Sequence, residues 1–359
     1  MLIIKKMLAG PMSRSPILSI LLLALGAATQ AGAQDLSPLF QSLEPVNITL
    51  TAPFQKVNRA RGEKRPEYPA TLTMANADGS QVSLDLEIRT RGHFRAKKEV
   101  CSYPPLRLDF KRKSLDGSIF DGENNLKLAV QCKSSDSYEQ FIYLEYLTYR
   151  VYQLFSDYSL KVRLARVTYI DSEKNKDEGT RLAFFIEDVG HMAKRLGLKE
   201  VEAQRLRPAD YDPAIMNLVD VFQFFIGNTD WSAFAGPPGE GCCHNIIPLS
   251  QGPGRMVPVP YDFDTTGAVD PSYAQVSDQL PIRSVTQRLF RGICQDRTLY
   301  DATIARFMEK RQAIQDLYVN QAGLSDRSRR EALEFFDEFY QIITDEAKLQ
   351  KEIIDDCRG

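Results

Sequence analysis

Val82-Ser83-Leu84-Asp85-Leu86-Glu87-Ile88 decides how the first half of the chain is read, because apolar and polar residues alternate through it without a break. Successive side chains of a strand point to opposite faces, so this pattern describes a strand with one buried and one solvated side. Upstream, Asp78-Gly79 separates it from Ala70-Thr71-Leu72-Thr73-Met74, which signals a hairpin. Val46-Asn47-Ile48-Thr49-Leu50-Thr51 has the same character, and the charge-rich segment 58–65 reads as a solvated loop. Downstream, Leu106-Arg107-Leu108-Asp109-Phe110 and Leu126-Lys127-Leu128-Ala129-Val130 alternate again, with Arg107, Asp109 and Lys127 on the polar face.

The period then changes. From Tyr138 to Phe155, Phe141, Leu144, Leu147, Val151, Leu154 and Phe155 form a helical stripe, with Glu145 at its edge. Two strand-like runs, 162–170 and 181–186, flank a charged turn at 171–178, and a helix is expected at 213–226. From about Val285 onward the pattern reads as helices, including 301–318 and 326–343, the latter opened by Ser325-Asp326 as a cap. The expected class is α+β, with residues 34–186 β-rich around one helix and residues 187–359 helix-rich.

The chain has 359 residues with 45 Lys+Arg against 47 Asp+Glu, so its net charge of −2 gives no general attraction to nucleic-acid phosphates. Residues 1–33 read as a signal peptide: Lys5, Lys6 and Arg14 precede the apolar run Ile17 to Leu25, and Ala31-Gly32-Ala33 offers a cleavage site before Gln34. An exported protein, periplasmic or secreted, is expected, with no membrane span. All six cysteines follow that segment, and an even count in an exported chain favours disulfides. Cys101 with Cys132 and Cys294 with Cys357 are the expected pairs, since each falls within one half of the chain, which leaves Cys242-Cys243 as a vicinal pair. A zinc site at Cys242-Cys243-His244 would need a second ligand pair at metal-binding spacing, and none is present.

Two segments carry candidate chemistry. In Gly227-Asn228-Thr229-Asp230-Trp231 an apolar helix end runs into polar residues and the only Trp of the chain, with His244-Asn245 following a Gly-Pro-rich loop. In Tyr261-Asp262-Phe263-Asp264-Thr265-Thr266-Gly267 an apolar strand ends in two carboxylates one residue apart, oxygens that suit a hard cation such as Mg²⁺. Asp262 to Thr266 also spells the D-x-D-x-T nucleophile motif of haloacid-dehalogenase phosphatases, but that motif opens a doubly wound domain, and helices are expected here. A turn that satisfies nearby backbone N–H groups is the plain alternative.

Taken together, Arg91-Gly92-His93-Phe94-Arg95, the segment 104–110, Asn228-Thr229-Asp230, and Tyr261-Asp262-Phe263-Asp264 with Gly267 resemble the motifs of the spore-coat protein H family of secreted atypical kinases. The resemblance runs from about Arg91 to Asp270. It implies a two-lobed atypical protein-kinase-like fold, with a β-rich N-lobe and a helical C-lobe, transferring a phosphoryl group from a Mg²⁺- or Mn²⁺-bound nucleotide, ATP, to a protein hydroxyl. Asp230 would then be the catalytic carboxylate, Asn245 and Asp262 metal ligands, and Asp264 either a support behind those ligands or a ligand of a second metal. The turn at Gly92 would cover the phosphates in place of a glycine-rich loop. Lys127, partnered by Glu145, would be the phosphate-binding cation, with Arg107 as the competing choice. The same residues suit transfer of another group, by adenylylation or glutamylation, and a non-catalytic envelope or adhesion module is the alternative without chemistry.

Overall fold

The computed structural model describes residues 36–359 apart from 77–78, 112–114, 251 and 253. The signal segment and Asp78 of the hairpin turn therefore lie outside the described residues. The alternating segments do form strands: β1 (Val46–Ala52), β2 (Tyr68–Ala75), β3 (Gln81–Thr90), β4 (Leu106–Phe110) and β5 (Asn125–Val130), joined by β6 (Val162–Asp171) and β7 (Lys176–Ile186). They close into a seven-stranded barrel in the order β1-β2-β3-β4-β5-β7-β6. Every neighbouring pair is antiparallel except the closing one, where β1 and β6 run parallel with Ile48 opposite Val167 and Leu50 opposite Tyr169. The inward residues, among them Leu50, Leu72, Leu84, Ile88, Leu108, Leu126 and Leu128, are fully buried and make one core.

Helices build a second core against one side of this barrel. In Leu182-Ala183-Phe184-Phe185-Ile186 every residue is buried, because Ala183 and Phe185 face the barrel interior while Leu182, Phe184 and Ile186 face the helices. Alternation vanishes wherever both faces of a strand are covered. α1 (Phe54–Arg59) packs into the barrel core, and the helical side comprises α2 (Asp136–Gln153), α3 (Val189–Arg195), α4 (Pro213–Phe225), α5 (Arg297–Val319), α6 (Asp326–Thr344) and α7 (Glu346–Leu349). Pro213 stands in the first turn of α4, and the Asp212 carboxylate accepts from the Ala214 and Ile215 N–H groups at 3.0 Å. From Met216 to Phe225 this helix is buried all round, so it is the central element of its core. A three-stranded sheet, β10 (Val257–Pro260), β9 (Ile246–Ser250) and β8 (Lys199–Glu200), lies beside it in sequence.

The expectation of a two-lobed kinase-like fold is overturned by the closed barrel. Pairing β1 with β6 removes both sheet edges, so the first half is a barrel and not an open β-rich N-lobe, and the second half carries a sheet of its own. This closure joins segments far apart in the chain, and alternation within a strand carries no information about its partner. The helices expected from Val285 begin only at Arg297; the chain from 271 to 296 has no helix or strand. The cysteines pair as Cys101–Cys132, Cys242–Cys243 and Cys294–Cys357. Among the described residues, no helix is long and apolar enough to cross a membrane.

Candidate functional site

The turn after α4 is built to present Asp230. Gly227 takes φ +65°, and the Asn228 carboxamide oxygen accepts the Asp230 N–H at 2.9 Å, while the Trp231 indole N–H donates to the Asn228 carbonyl at 3.1 Å. Trp231, only 2% exposed, is thus a core brace for the turn and not part of a binding wall. Residues 232 and 244 pair through both backbone N–H groups, which lays His244 and Asn245 alongside Asp230. His244 Nε2 lies 2.8 Å from one Asp230 carboxylate oxygen, and the Asn245 amide donates to the Asp230 carbonyl at 2.6 Å and approaches the other carboxylate oxygen at 3.4 Å. The imidazole contact holds the Asp230 carboxyl below the usual carboxylate range and in turn raises His244. The Asp230 side chain remains 64% exposed, a charged carboxylate fixed at a rim.

The second segment leaves β10 at Pro260. Phe263 is fully buried, 4.6 Å from the Tyr149 ring and 5.7 Å from the Phe222 ring by centroids, and anchoring it leaves Asp262 and Asp264 to line the adjacent cleft. Asp262 sits at φ +62° with its N–H donating to the Tyr149 hydroxyl at 2.9 Å. Asp264 meets Arg95 at 3.3 Å, and the same guanidinium nitrogen reaches Glu145 at 3.5 Å while its twin donates to the Val130 carbonyl. All three charged groups are buried. Burial pushes both carboxyls up; Asp264 adds to the effect on Glu145, Asp262 adds to it on Asp264, and Arg95 opposes it.

The two segments abut through glycine. The Gly267 N–H donates to the Gly227 carbonyl at 3.2 Å, and a Cβ on Gly267 would stand 2.5 Å from the Val285 carbonyl oxygen and 2.6 Å from the Phe335 ring. Between the segments lies a cleft of about 370 Å³ lined by Arg91, Gly92, Arg95, Glu145, Asp230, Asp262 and Asp264, with Gln275, Val276, Ser277 and Leu280 also on its lining. Gly92 adopts φ +80° at this lining, a conformation that suits glycine.

Of the expected residues, Asp230, Asn245, Asp262, Asp264, Glu145 and Gly92 come together here. The Lys127–Glu145 pair does not form, since Glu145 is taken by Arg95. Lys127 instead lies over the Tyr261 ring, 5.2 Å from its centroid, where burial first and the Arg91 charge second pull its ammonium down to about 8. Arg107, cross-strand from Lys127, is tied to Asp109 at 3.6 Å and Asn125 at 3.3 Å and does not line the cleft. Sequence reasoning missed Arg95 and His244 as site residues. The signal for Arg95 lay in the Arg91 to Arg95 stretch, but nothing in its spacing says which arginine is buried.

Several alternatives fall on geometry. No named strand follows Thr266 among the described residues, as a dehalogenase-type phosphatase would require. Cys242 and Cys243 are bonded to each other and so cannot ligate zinc. Among the described residues, no three His, Cys, Asp or Glu side chains converge as a metal-holding group. Among the described residues, the Asp262 carboxylate and the Asn245 side-chain oxygen accept no hydrogen bond, whereas Asp264 is held by Arg95 and the Asn245 nitrogen by Asp230. Comparison with known proteins finds no matching family model, no matching curated protein and no matching solved structure.

Proposed function

We propose that this cleft transfers a phosphoryl group from a Mg²⁺- or Mn²⁺-bound nucleotide, ATP being the first to test, to a protein hydroxyl. The chemistry is assigned to the barrel-and-helix scaffold described above. The observation that carries the reading is the exposed Asp230 carboxylate, locked by His244 and Asn245 on the rim of a cleft that also holds Asp262 and Asp264. Phosphoryl transfer needs little beyond positioning and charge balance, so a carboxylate near the acceptor, metal-binding oxygens and cations near the phosphates suffice. Asp230 orients the acceptor hydroxyl and accepts its proton, a role that its depressed pKa keeps available through neutral pH. Asp262 and Asn245 would hold the metal, which supplies charge neutralisation for the phosphates when bound. Arg91 lines the same cleft as the cation for phosphate oxygens, and Arg95 holds Glu145 and Asp264 in place. The resemblance of these motifs to those of the spore-coat protein H family supports the same reading.

Intact-mass analysis of an acceptor mixture incubated with the mature chain, ATP and Mg²⁺ or Mn²⁺ tests it. The mass gained separates phosphoryl from adenylyl or glutamyl transfer, and calorimetry on Asp262→Ala should show Mg-nucleotide binding weakened with the fold retained. No nucleotide binding by the parent protein would favour the non-catalytic module, and unchanged affinity in the variant would return Asp262 to a turn residue.

A further inference from the structure

The two ends of the barrel differ. One is filled: Phe120 stacks on Phe110 at 5.2 Å between centroids and meets Phe185 edge-on at 5.5 Å, and Leu39 and Phe40 join the same core. The other opens into a cavity of about 240 Å³ between α1, β6, β7 and the segment 103–106, across that segment from the cleft containing Asp230, which Pro105 lines. Its apolar wall is Phe54, Pro104, Leu106 and Val130. Polar side chains complete the lining, among them Gln55, Asn58, Gln131, Tyr169 and Arg181. Arg181 shares the inward face of β7 with Ala183 and Phe185, and Tyr169 belongs to the barrel core.

An arginine turned inward at a barrel mouth is costly unless it is stacked and hydrogen-bonded. Here its guanidinium carbon lies 3.9 Å from the Tyr103 ring centroid and 5.3 Å from that of Tyr169. Only Nη2 is committed, to the Tyr103 hydroxyl at 2.9 Å and the Glu178 carbonyl. Among the described residues, Nε and Nη1 make no hydrogen bond, and the Tyr169 hydroxyl is buried with no partner. Buried hydroxyls are almost always satisfied, so an orphan beside an open guanidinium edge in a walled cavity indicates a missing acceptor. The other charged groups on this lining, Lys176 and Glu178, pair with each other at 3.0 Å and leave Arg181 as the uncompensated charge of the cavity.

We propose that this barrel mouth is a binding site for a small aromatic carboxylate. A dry cavity of about 150 Å³ already accommodates a benzene ring, so the space here holds one ring and one carboxylate. The carboxylate takes the Arg181 fork and the Tyr169 hydroxyl, and the ring lies among Phe54, Leu106 and Val130. Barrel mouths are common positions for such sites, with a mostly apolar wall and a few convergent polar groups fixing orientation.

Fluorine NMR of para-fluorobenzoate and its neutral isostere para-fluorobenzamide, titrated into the mature chain, tests the proposal. Saturable binding of the benzoate is expected, with the benzamide weaker by about tenfold or more, the scale of a charge-assisted hydrogen bond. Tyr169→Phe should weaken benzoate by about fivefold, one hydrogen bond, while leaving the melting temperature unchanged or raised, because it removes an unsatisfied hydroxyl. Arg181→Gln should abolish the preference for benzoate over benzamide. If that variant fails to fold, Tyr169→Phe and the benzamide comparison still decide the matter. Absent binding, equal affinity for the two probes, or a Tyr169→Phe variant that melts early and binds benzoate like the parent would each overturn it.

Discussion

Replacing Arg95 by Met keeps most of the side-chain volume but deletes the one cation that Glu145 and Asp264 share inside the protein. Removing one partner of a buried ion pair costs about 3–5 kcal/mol, because the remaining charge is left unpaired. The loss should depend on pH, since the stranded carboxylates can take up protons instead. Burial already holds both folded-state carboxyls above their ordinary values, and Arg95 opposes this ahead of the more distant Arg91, so its removal sends them higher. A carboxyl raised on folding favours the native state at low pH and loses that contribution as pH climbs from its unfolded toward its folded value. Each such group adds a slope of about 1.4 kcal/mol per pH unit. At pH near 5 the variant should therefore lose only about 1 kcal/mol, from the Val130 carbonyl left without its donor; the gap opens once pH passes the parent's own raised values, about 6 for Asp264 and about 8 for Glu145, and reaches the full amount only above them. Urea unfolding of parent and variant in metal-free buffer across that range measures the difference. Arg95→Met combined with Glu145→Gln should recover much of the loss at the alkaline end. A small loss that is flat with pH would refute the buried Arg95–Glu145–Asp264 cluster.

Gly267→Ala should cost about 1–3 kcal/mol, since its Cβ meets the Val285 carbonyl and the Phe335 ring, and nucleotide affinity should fall with it as the Asp262 segment shifts; unfolding and calorimetry on one sample check both. Gly92→Ala faces open space but keeps φ +80°, so its penalty should stay at about 1 kcal/mol of backbone strain in the same unfolding assay. His191, whose Nδ1 lies 3.2 Å from the buried Glu123 carboxylate, is raised above its ordinary value chiefly by that contact. Its contribution is present below about 6.5 and fades as pH rises through the folded value, so His191→Asn should lose about 0.5–1 kcal/mol at mildly acidic pH and almost nothing in alkaline buffer.

Strands with one solvated face were legible because their alternation is a direct record of burial: Val82 to Ile88 and Leu106 to Phe110 both fall inside strands. Leu182 to Ile186 carries no alternation, since the barrel and the helices cover its two faces, and the parallel partnership of β1 with β6 leaves no local trace at all. That one pairing separates a barrel from an open lobe. At the cleft, residue chemistry and order pointed to Asp230, Asn245, Asp262 and Asp264, which do gather. The misassigned partner of Glu145 shows the limit, because its place at the edge of a helical stripe could not reveal that α2 is covered on that side and that Arg95 reaches in to meet it.

Phosphate incorporation by Asp230→Asn, measured together with nucleotide affinity and thermal melting on the same preparation, tests the proposed chemistry most directly. The substitution keeps the shape of the side chain and removes the charge that takes the acceptor proton. The expected result is a loss of turnover of about a hundredfold or more, with nucleotide affinity close to that of the parent. A variant that melts early yet transfers phosphate at the parent rate would contradict the assignment, leaving Asp230 as a residue that only shapes the turn after α4.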